Sequence, residues 1–173
     1  MDFKFLPYTV IDGIPSMSNS YIKGIYDRCV ESGLEEILFH DGSINDADDF
    51  MNHVTNLGTM FWAIFYRKKM VGFFWLNRLE KTHAYCHFAA FPEIWGRGLA
   101  EEAGKQAMTI ALKHFSMIIG MIPADNQVAI DYLGRVGLTD LADVPNLLWS
   151  KKLECPITGK LMCITREDLH EDL

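Results

Sequence analysis

Basic residues are in short supply in this sequence: 16 Lys and Arg stand against 23 Asp and Glu, leaving a formal net charge of -7. Binding to a phosphate backbone rests on clustered Lys and Arg, and no such cluster occurs, so a general nucleic-acid or anionic-membrane binder is set aside. An acidic protein more naturally meets a neutral or cationic acceptor. Long hydrophobic runs are missing too. Apolar stretches such as 60–66 and 117–122 are far shorter than a membrane span. The N-terminus, Met1-Asp2-Phe3-Lys4, has no basic region followed by an apolar segment, so no signal peptide is expected and a soluble, cytoplasmic protein is. The four cysteines, Cys29, Cys86, Cys155 and Cys163, form no CxxC pair, and no His stands at zinc-ligand spacing from them. Reduced thiols and no metal site are therefore expected. There is no internal repeat and no low-complexity segment.

What is there suits one domain with a sizeable core, since 173 residues that are 49% hydrophobic are too few for two ordinary domains. Residues 3–11 alternate loosely and are cut by Pro7, which reads as an edge strand followed by a turn at Asp12-Gly13. Ile22, Ile25, Tyr26, Cys29 and Val30 fall on one helical face, with serines before them and Gly33 after. A second helix follows Ser43, carrying Ala47, Phe50, Met51, Val54 and Leu57, and ends at Gly58. From Thr59 the texture turns aromatic and β-branched, predicting a hairpin of 60–66 and 70–79 about Arg67-Lys68-Lys69. A third strand, 83–91, is closed by Pro92. Helical spacing returns over 99–115, then a buried strand over 116–122. A helix capped by Asp125 carries Ala129, Tyr132, Leu133 and Val136 and ends at Gly137. A last core strand is expected over 147–153. The domain is thus placed at 1–153, and 154–173 reads as a polar C-terminal tail with room for one extra strand and a frayed end. The fold class is α/β, with a mixed, partly antiparallel central sheet flanked by helices on both faces.

The loop Trp95-Gly96-Arg97-Gly98-Leu99-Ala100 lies between a strand and a helix, where free backbone N–H groups and the helix dipole favour a phosphate. The plainer reading is a flexible turn whose small residues serve packing. Two nucleotide motifs are ruled out: there is no GxxxxGK[ST], and Glu101 stands where a dinucleotide fingerprint needs a third small residue.

Several features then agree in order. Val71-Gly72-Phe73 lies in the hairpin, Ala90-Phe91-Pro92-Glu93 leads into the glycine loop, and Asn126, Ala129 and Gly137-Leu138 follow. On these residues the stretch 61–138 resembles the GNAT N-acetyltransferase family, with its Q/R-x-x-G-x-G/A loop and N-x-x-A…G-F helix. Trp95 occupies the loop's first position, and Leu133 stands where the family commonly has Tyr. The resemblance implies a GNAT-like acyl-CoA N-acyltransferase that uses acetyl-CoA as cosubstrate. It also implies that an acceptor amine attacks the thioester carbonyl directly, without a covalent enzyme intermediate.

The same resemblance implies site residues. Trp95, Gly96, Arg97, Gly98, Leu99 and Ala100 would hold the pyrophosphate, the main chain of Phe88 and Ala90 would bind pantetheine and polarise the carbonyl, and Asn126 would bond the pantetheine arm. The slot where some members carry a basic Glu is Ala84. His87, in the strand, becomes the candidate proton acceptor, against a structural histidine as the plainer role. Tyr132 is the candidate acid, although on a helix it points about 100° away from the Leu133 direction and its place in the apolar stripe favours a core role. A thiol with a pKa of about 8.5 leaves tolerably as thiolate, so acid help is of small value. Glu35, Glu36, His40 and Asp41 lie where the family's acceptor-binding elements would be, and read as a solvated helix face or turn. The acceptor is expected to be a small-molecule or peptide amine; no nucleic acid or membrane partner is expected, and a homodimer is left open. Two other classes compete: a GNAT-like module that holds acyl-CoA with weak or no catalysis, and an interaction protein that keeps the fold alone.

Overall fold

The computed structural model describes residues 2–171; Met1 and residues 172 and 173, the end of the expected tail, lie outside the described residues. Phe3–Pro7 (β1) pairs with Met60–Tyr66 (β4). Pro7 ends it, and the chain then makes a separate small ribbon, Val10–Ile11 (β2) with Ile14–Pro15 (β3), in place of the single edge strand expected over 3–11. Ser18 caps Asn19–Glu31 (α1), accepting from the Tyr21 N–H at 3.2 Å, and the helix buries Ile22, Ile25 and Cys29. Glu35–Leu38 (α2) is one short turn that no repeating pattern announces. In Ala47–Thr55 (α3) the cap is Asp46, which accepts from the Asp49 N–H at 2.8 Å. The helix therefore begins well after Ser43 and stops three residues short of Gly58.

The hairpin forms as expected, β4 with Lys69–Asn77 (β5), and His83–Ala90 (β6) adds antiparallel to β5. A 3₁₀ turn, Pro92–Ile94, and the glycine loop lead into Leu99–Ala111 (α4). Met117–Pro123 (β7) then lies parallel to β6, and Gln127–Val136 (α5) follows. The next strand, Thr139–Ser150 (β8), starts eight residues before the expected 147, its alternation hidden by register breaks between Asp140 and Ala142 and between Val144 and Leu148.

The expected tail differs most. Cys155–Thr165 (β9) is inserted between β7 and β8, so the seven-stranded sheet runs β1-β4-β5-β6-β7-β9-β8. Met162, Cys163 and Ile164 are buried opposite Gly120, Ile119 and Ile118. Lys160 bridges Asp140 and Asp143 on β8 at 2.6 and 2.7 Å. A boundary at 153 would therefore cut the sheet. Asp168–Glu171 (α6) closes the described chain.

The sheet is mixed and covered on both faces, in agreement with the expected fold class. On one face α4 and α5 pack Ala103, Ala107, Ala111 and Val136 against Phe74, Leu76, Ala84 and Ile118. On the other, α1 and α3 bring Ile22, Ile25, Phe50 and Val54 onto Phe61, Phe73, Trp75 and Phe91. No helix among the described residues is long and apolar enough to cross a membrane.

Candidate active site

The sheet opens at its centre. β6 and β7 pair only through His83, Ala84 and Tyr85 with Met117, Ile118 and Ile119, and beyond that point they part. The Phe91 N–H donates to Val71 O at 2.8 Å. Antiparallel alternation then turns the main chain of residues 85, 87 and 89 towards β5 and that of Cys86, Phe88 and Ala90 towards the opened side. A cavity of about 340 Å³ occupies the gap. Cys86, His87 and Phe88 line one side, Gly120, Met121, Ile122 and Pro123 the other, and Asn126, Tyr132 and Leu133 of the α5 region close one end.

At the start of α4 the loop presents bare backbone. Gly96 and Gly98 take φ of 68° and 69°, a left-handed conformation that side-chained residues rarely adopt. A Cβ on either would meet nothing within 4 Å, so the space above them is open. No side chain caps α4, leaving its first N–H groups free for an anion. Arg97 is exposed. Trp95 does not reach into the cavity; its indole Nε1–H donates to Ala90 O at 2.8 Å, tying the loop back to β6. That bond occupies the Ala90 carbonyl, so of the two expected main-chain contacts Phe88 is the one that keeps both polar groups open to the gap. Arg28 of α1 braces the loop from below: it pairs with Glu93, donates to Met70 O at 2.7 Å and lies 3.9 Å above the Phe91 ring.

The α5 end corrects one expectation. Asn126, not Asp125, caps the helix, its Oδ1 accepting from the Ala129 N–H at 3.2 Å. The side-chain oxygen is therefore engaged, and the amide group is what Asn126 can offer to the cavity it lines. Tyr132 stacks on Phe88 at 5.5 Å and donates its hydroxyl proton to Ala100 O at 2.9 Å. Burial, aided by Cys86, pushes its pKa well above the usual phenol value. Gly104 lies directly beneath, where a Cβ would collide with the Tyr132 hydroxyl and with Val136. Tyr132 thus pins α5 to the first turn of α4, and its proton is held by a carbonyl. Leu133 makes an apolar wall.

The opposite half of the cavity is different in kind. His87 stacks flat on Trp75, 4.6 Å between centroids and 7° between planes. Burial, with His53 beside it, lowers its pKa to about 4. His53 at the end of α3 stands edge-on to Trp75 at 5.3 Å and is also lowered, by burial. Burial acts to raise Asp41, but the Ser43 N–H at 3.0 Å and the Ser43 hydroxyl at 2.7 Å, with His40 and His87, hold its carboxyl below the usual value. His40 and Asp41 line the cavity; Glu35 and Glu36 do not. Cys86, its thiol pushed up to about 12 by burial, stays protonated at neutral pH and is a poor nucleophile. No group of His, Cys, Asp and Glu among the described residues could hold a metal ion.

His87, Phe88, Asn126 and Tyr132 therefore meet in one cavity. Ala90 and the segment 95–100 do not line it; they are tied to its walls through the Trp95–Ala90 and Tyr132–Ala100 bonds. Sequence reasoning missed His53, Trp75 and Asn77 as cavity residues. The signal available was strand alternation, which sets Trp75, Asn77 and His87 on one sheet face.

A family model described as an acetyltransferase (GNAT) domain matches residues 30–139. A spermidine N-acetyltransferase from Vibrio cholerae, solved with CoA and spermine, shares the fold at a TM-score of 0.73 and 12% identity, over 96% of each chain. An acetyl transferase from Salmonella typhimurium, described as modifying the N-terminal serine of a 50S ribosomal subunit protein, superposes at a TM-score of 0.74 and 12% identity, over 94% of each chain. A ribosomal-protein alpha-N-acetyltransferase in complex with coenzyme A gives 0.71 and 14%, over 86% of this chain and 90% of that one. At these identities the likeness is one of fold. No curated protein matches the sequence.

Proposed function

The chain belongs to the GNAT acetyltransferase family, whose model spans residues 30–139, and from that premise we propose that it is an acetyl-CoA-dependent N-acetyltransferase acting on a primary amine. One observation supports the reading: β6 parts from β7 over a cavity with residues of both sheet faces in its walls, and the Trp95–Ala90 and Tyr132–Ala100 bonds tie the open glycine loop to those walls. A thioester threaded through the gap could meet an amine coming from the far side.

In this reading the backbone of Gly96, Arg97 and Gly98 and the first N–H groups of α4 hold the pyrophosphate, the charge being met by the helix dipole. Trp95 holds the loop to β6, while Leu99 and Ala100 begin the helix. The main chain of Phe88 aligns the pantetheine arm and polarises the carbonyl, as an oxyanion donor does; the Ala90 N–H and the Asn126 amide group add to it. The donor supplies an activated acetyl group. The amine nitrogen attacks the carbonyl carbon, a C–N bond forms, the C–S bond breaks, and the sulfur leaves with the electron pair as thiolate. A thiol of pKa about 8.5 needs little acid help, which suits a site where Tyr132 is engaged and Leu133 replaces the family's Tyr.

The proton leaves on the other side. His87 is uncharged at neutral pH and so free to accept. It is a weak base, but the attacking nitrogen becomes a much stronger acid as the C–N bond forms, which narrows the gap. We assign its work to the cytoplasm, where its four free cysteines stay reduced.

The test is calorimetric titration with acetyl-CoA, followed by thiol release in the presence of primary amines. Binding and amine-dependent release support the reading. Absence of binding sinks it, and binding without release at any amine favours a module that only holds acyl-CoA.

A further inference from the structure

Four buried side-chain atoms among the described residues have no hydrogen-bond partner: His40 Nε2, His53 Nε2, Trp75 Nε1 and Asn77 Oδ1. All four belong to residues lining the acceptor half of the cavity. Buried polar atoms are normally satisfied, and leaving several unmade in one place is costly. A ligand that entered the cavity and supplied partners would relieve that cost.

The chemistry of the set is asymmetric. His40 Nδ1 lies 3.3 Å from Ile37 O, which can only accept, so Nδ1 donates and in the neutral ring Nε2 presents a lone pair. Asn77 Oδ1 is an acceptor, as is the Asp41 carboxylate, whereas Trp75 Nε1–H can only donate. The cavity thus asks for a ligand with several N–H donors and at least one acceptor. Charge narrows it further. Of the residues lining the cavity, Asp41 is the one carboxylate and Arg78 the one permanent cation, both exposed to solvent. His53 and His87 are kept neutral by burial. One ammonium is matched by Asp41; a second would find no carboxylate in the lining and would meet the like charge of Arg78.

We propose that His40, Asp41, His53, Trp75 and Asn77 form a specificity site for a primary amine that bears a single positive charge and, within a few bonds, an uncharged hydrogen-bond acceptor such as an amide carbonyl. The site selects against polyamines, the acceptor class named for the Vibrio cholerae neighbour. This rests on the acetyltransferase reading of the same cavity.

The experiment uses the full chain and three probe amines: glycinamide, propylamine and spermidine. With acetyl-CoA bound, glycinamide should give the highest kcat/KM, by about tenfold or more, because it alone satisfies both the acceptors and the Trp75 donor. Asn77→Leu and His53→Phe each remove an orphaned atom while keeping an apolar body of similar shape. Both should raise the glycinamide KM by about tenfold while leaving the acetyl-CoA Kd unchanged and the Tm no lower than that of the parent protein. Spermidine turned over as well as glycinamide, turnover of propylamine or spermidine with none of glycinamide, or variants that lose Tm but keep KM would each overturn the specificity site. Failure of the underlying reading looks different: the unaltered protein would not bind acetyl-CoA, or would bind it and turn over no amine.

Discussion

The two halves of the cleft are made of different material. The donor half is main chain: two left-handed glycines, an uncapped helix start and an unladdered strand edge. The acceptor half is side chain, contributed by the end of α3, the loop after α2, and β5 and β6. A main-chain site depends on φ and on element order, so almost any side chain can decorate it provided the glycines stay. A side-chain site depends on which residues a particular sequence brings together. The first kind is shared across a family, and the second sets what an individual member accepts.

The largest change should strike both halves at once. Truncation after Leu153 removes β9 from the middle of the β7-β9-β8 array, exposing the β7 edge and stranding β8. The expected result is loss of cooperative folding, read as the absence of a thermal transition. A truncated protein that melts cooperatively and binds CoA would restore the view of the C-terminus as an appendage.

Gly98→Glu separates the halves. It puts a carboxylate into the pyrophosphate cradle and a side chain at φ 69°, where the backbone strain costs about 1–2 kcal/mol. CoA affinity should fall by about a hundredfold or more, with Tm only modestly reduced. Arg97→Ala should cost far less, since the cradle is backbone. Equal losses from the two variants would mean that the donor half also rests on side chains.

His87 probes the other half through pH. Its folded pKa of about 4 lies below the unfolded value of about 6.5, so the unfolded chain takes up the proton first as pH falls. Stability from this group is fully present above pH of about 6.5 and is lost towards pH 4, by up to about 3 kcal/mol. His53, lowered in the same direction, adds to the slope. His87→Phe keeps a ring on Trp75 and should flatten that slope in denaturant melts taken between those pH values; an unchanged slope would place the proton uptake elsewhere.

The smallest effect is expected at the seam. Tyr132→Phe deletes one hydrogen bond to Ala100 O, worth about 1 kcal/mol, and should leave kcat within a few-fold. A folded, CoA-binding variant that loses most of its turnover would make Tyr132 the general acid.

How much could be read beforehand follows the same division. The hairpin, the glycine loop and the α4 and α5 faces were legible because periodicity and left-handed glycines are local signals. Even so, the sequence points to Asp125 as the cap when Asn126 holds it, since adjacent Asx residues offer the same chemistry and only the backbone decides. β9 was illegible in its place because Met162, Cys163 and Ile164 are its only run of buried hydrophobics, and pairing with β7 across about forty residues is non-local. The acceptor half was illegible for a related reason: nothing in the sequence says that His40, His53 and Asn77 will share a cavity or be left unpartnered there.

The central claim is that a main-chain cradle holds the donor, and backbone amide NMR during a CoA titration addresses it most directly. The account predicts the largest shifts at the N–H groups of Gly96 to Glu101 and at Phe88, with β1 and β8 unmoved; shifts confined to other parts of the chain, or none at saturating CoA, would contradict it.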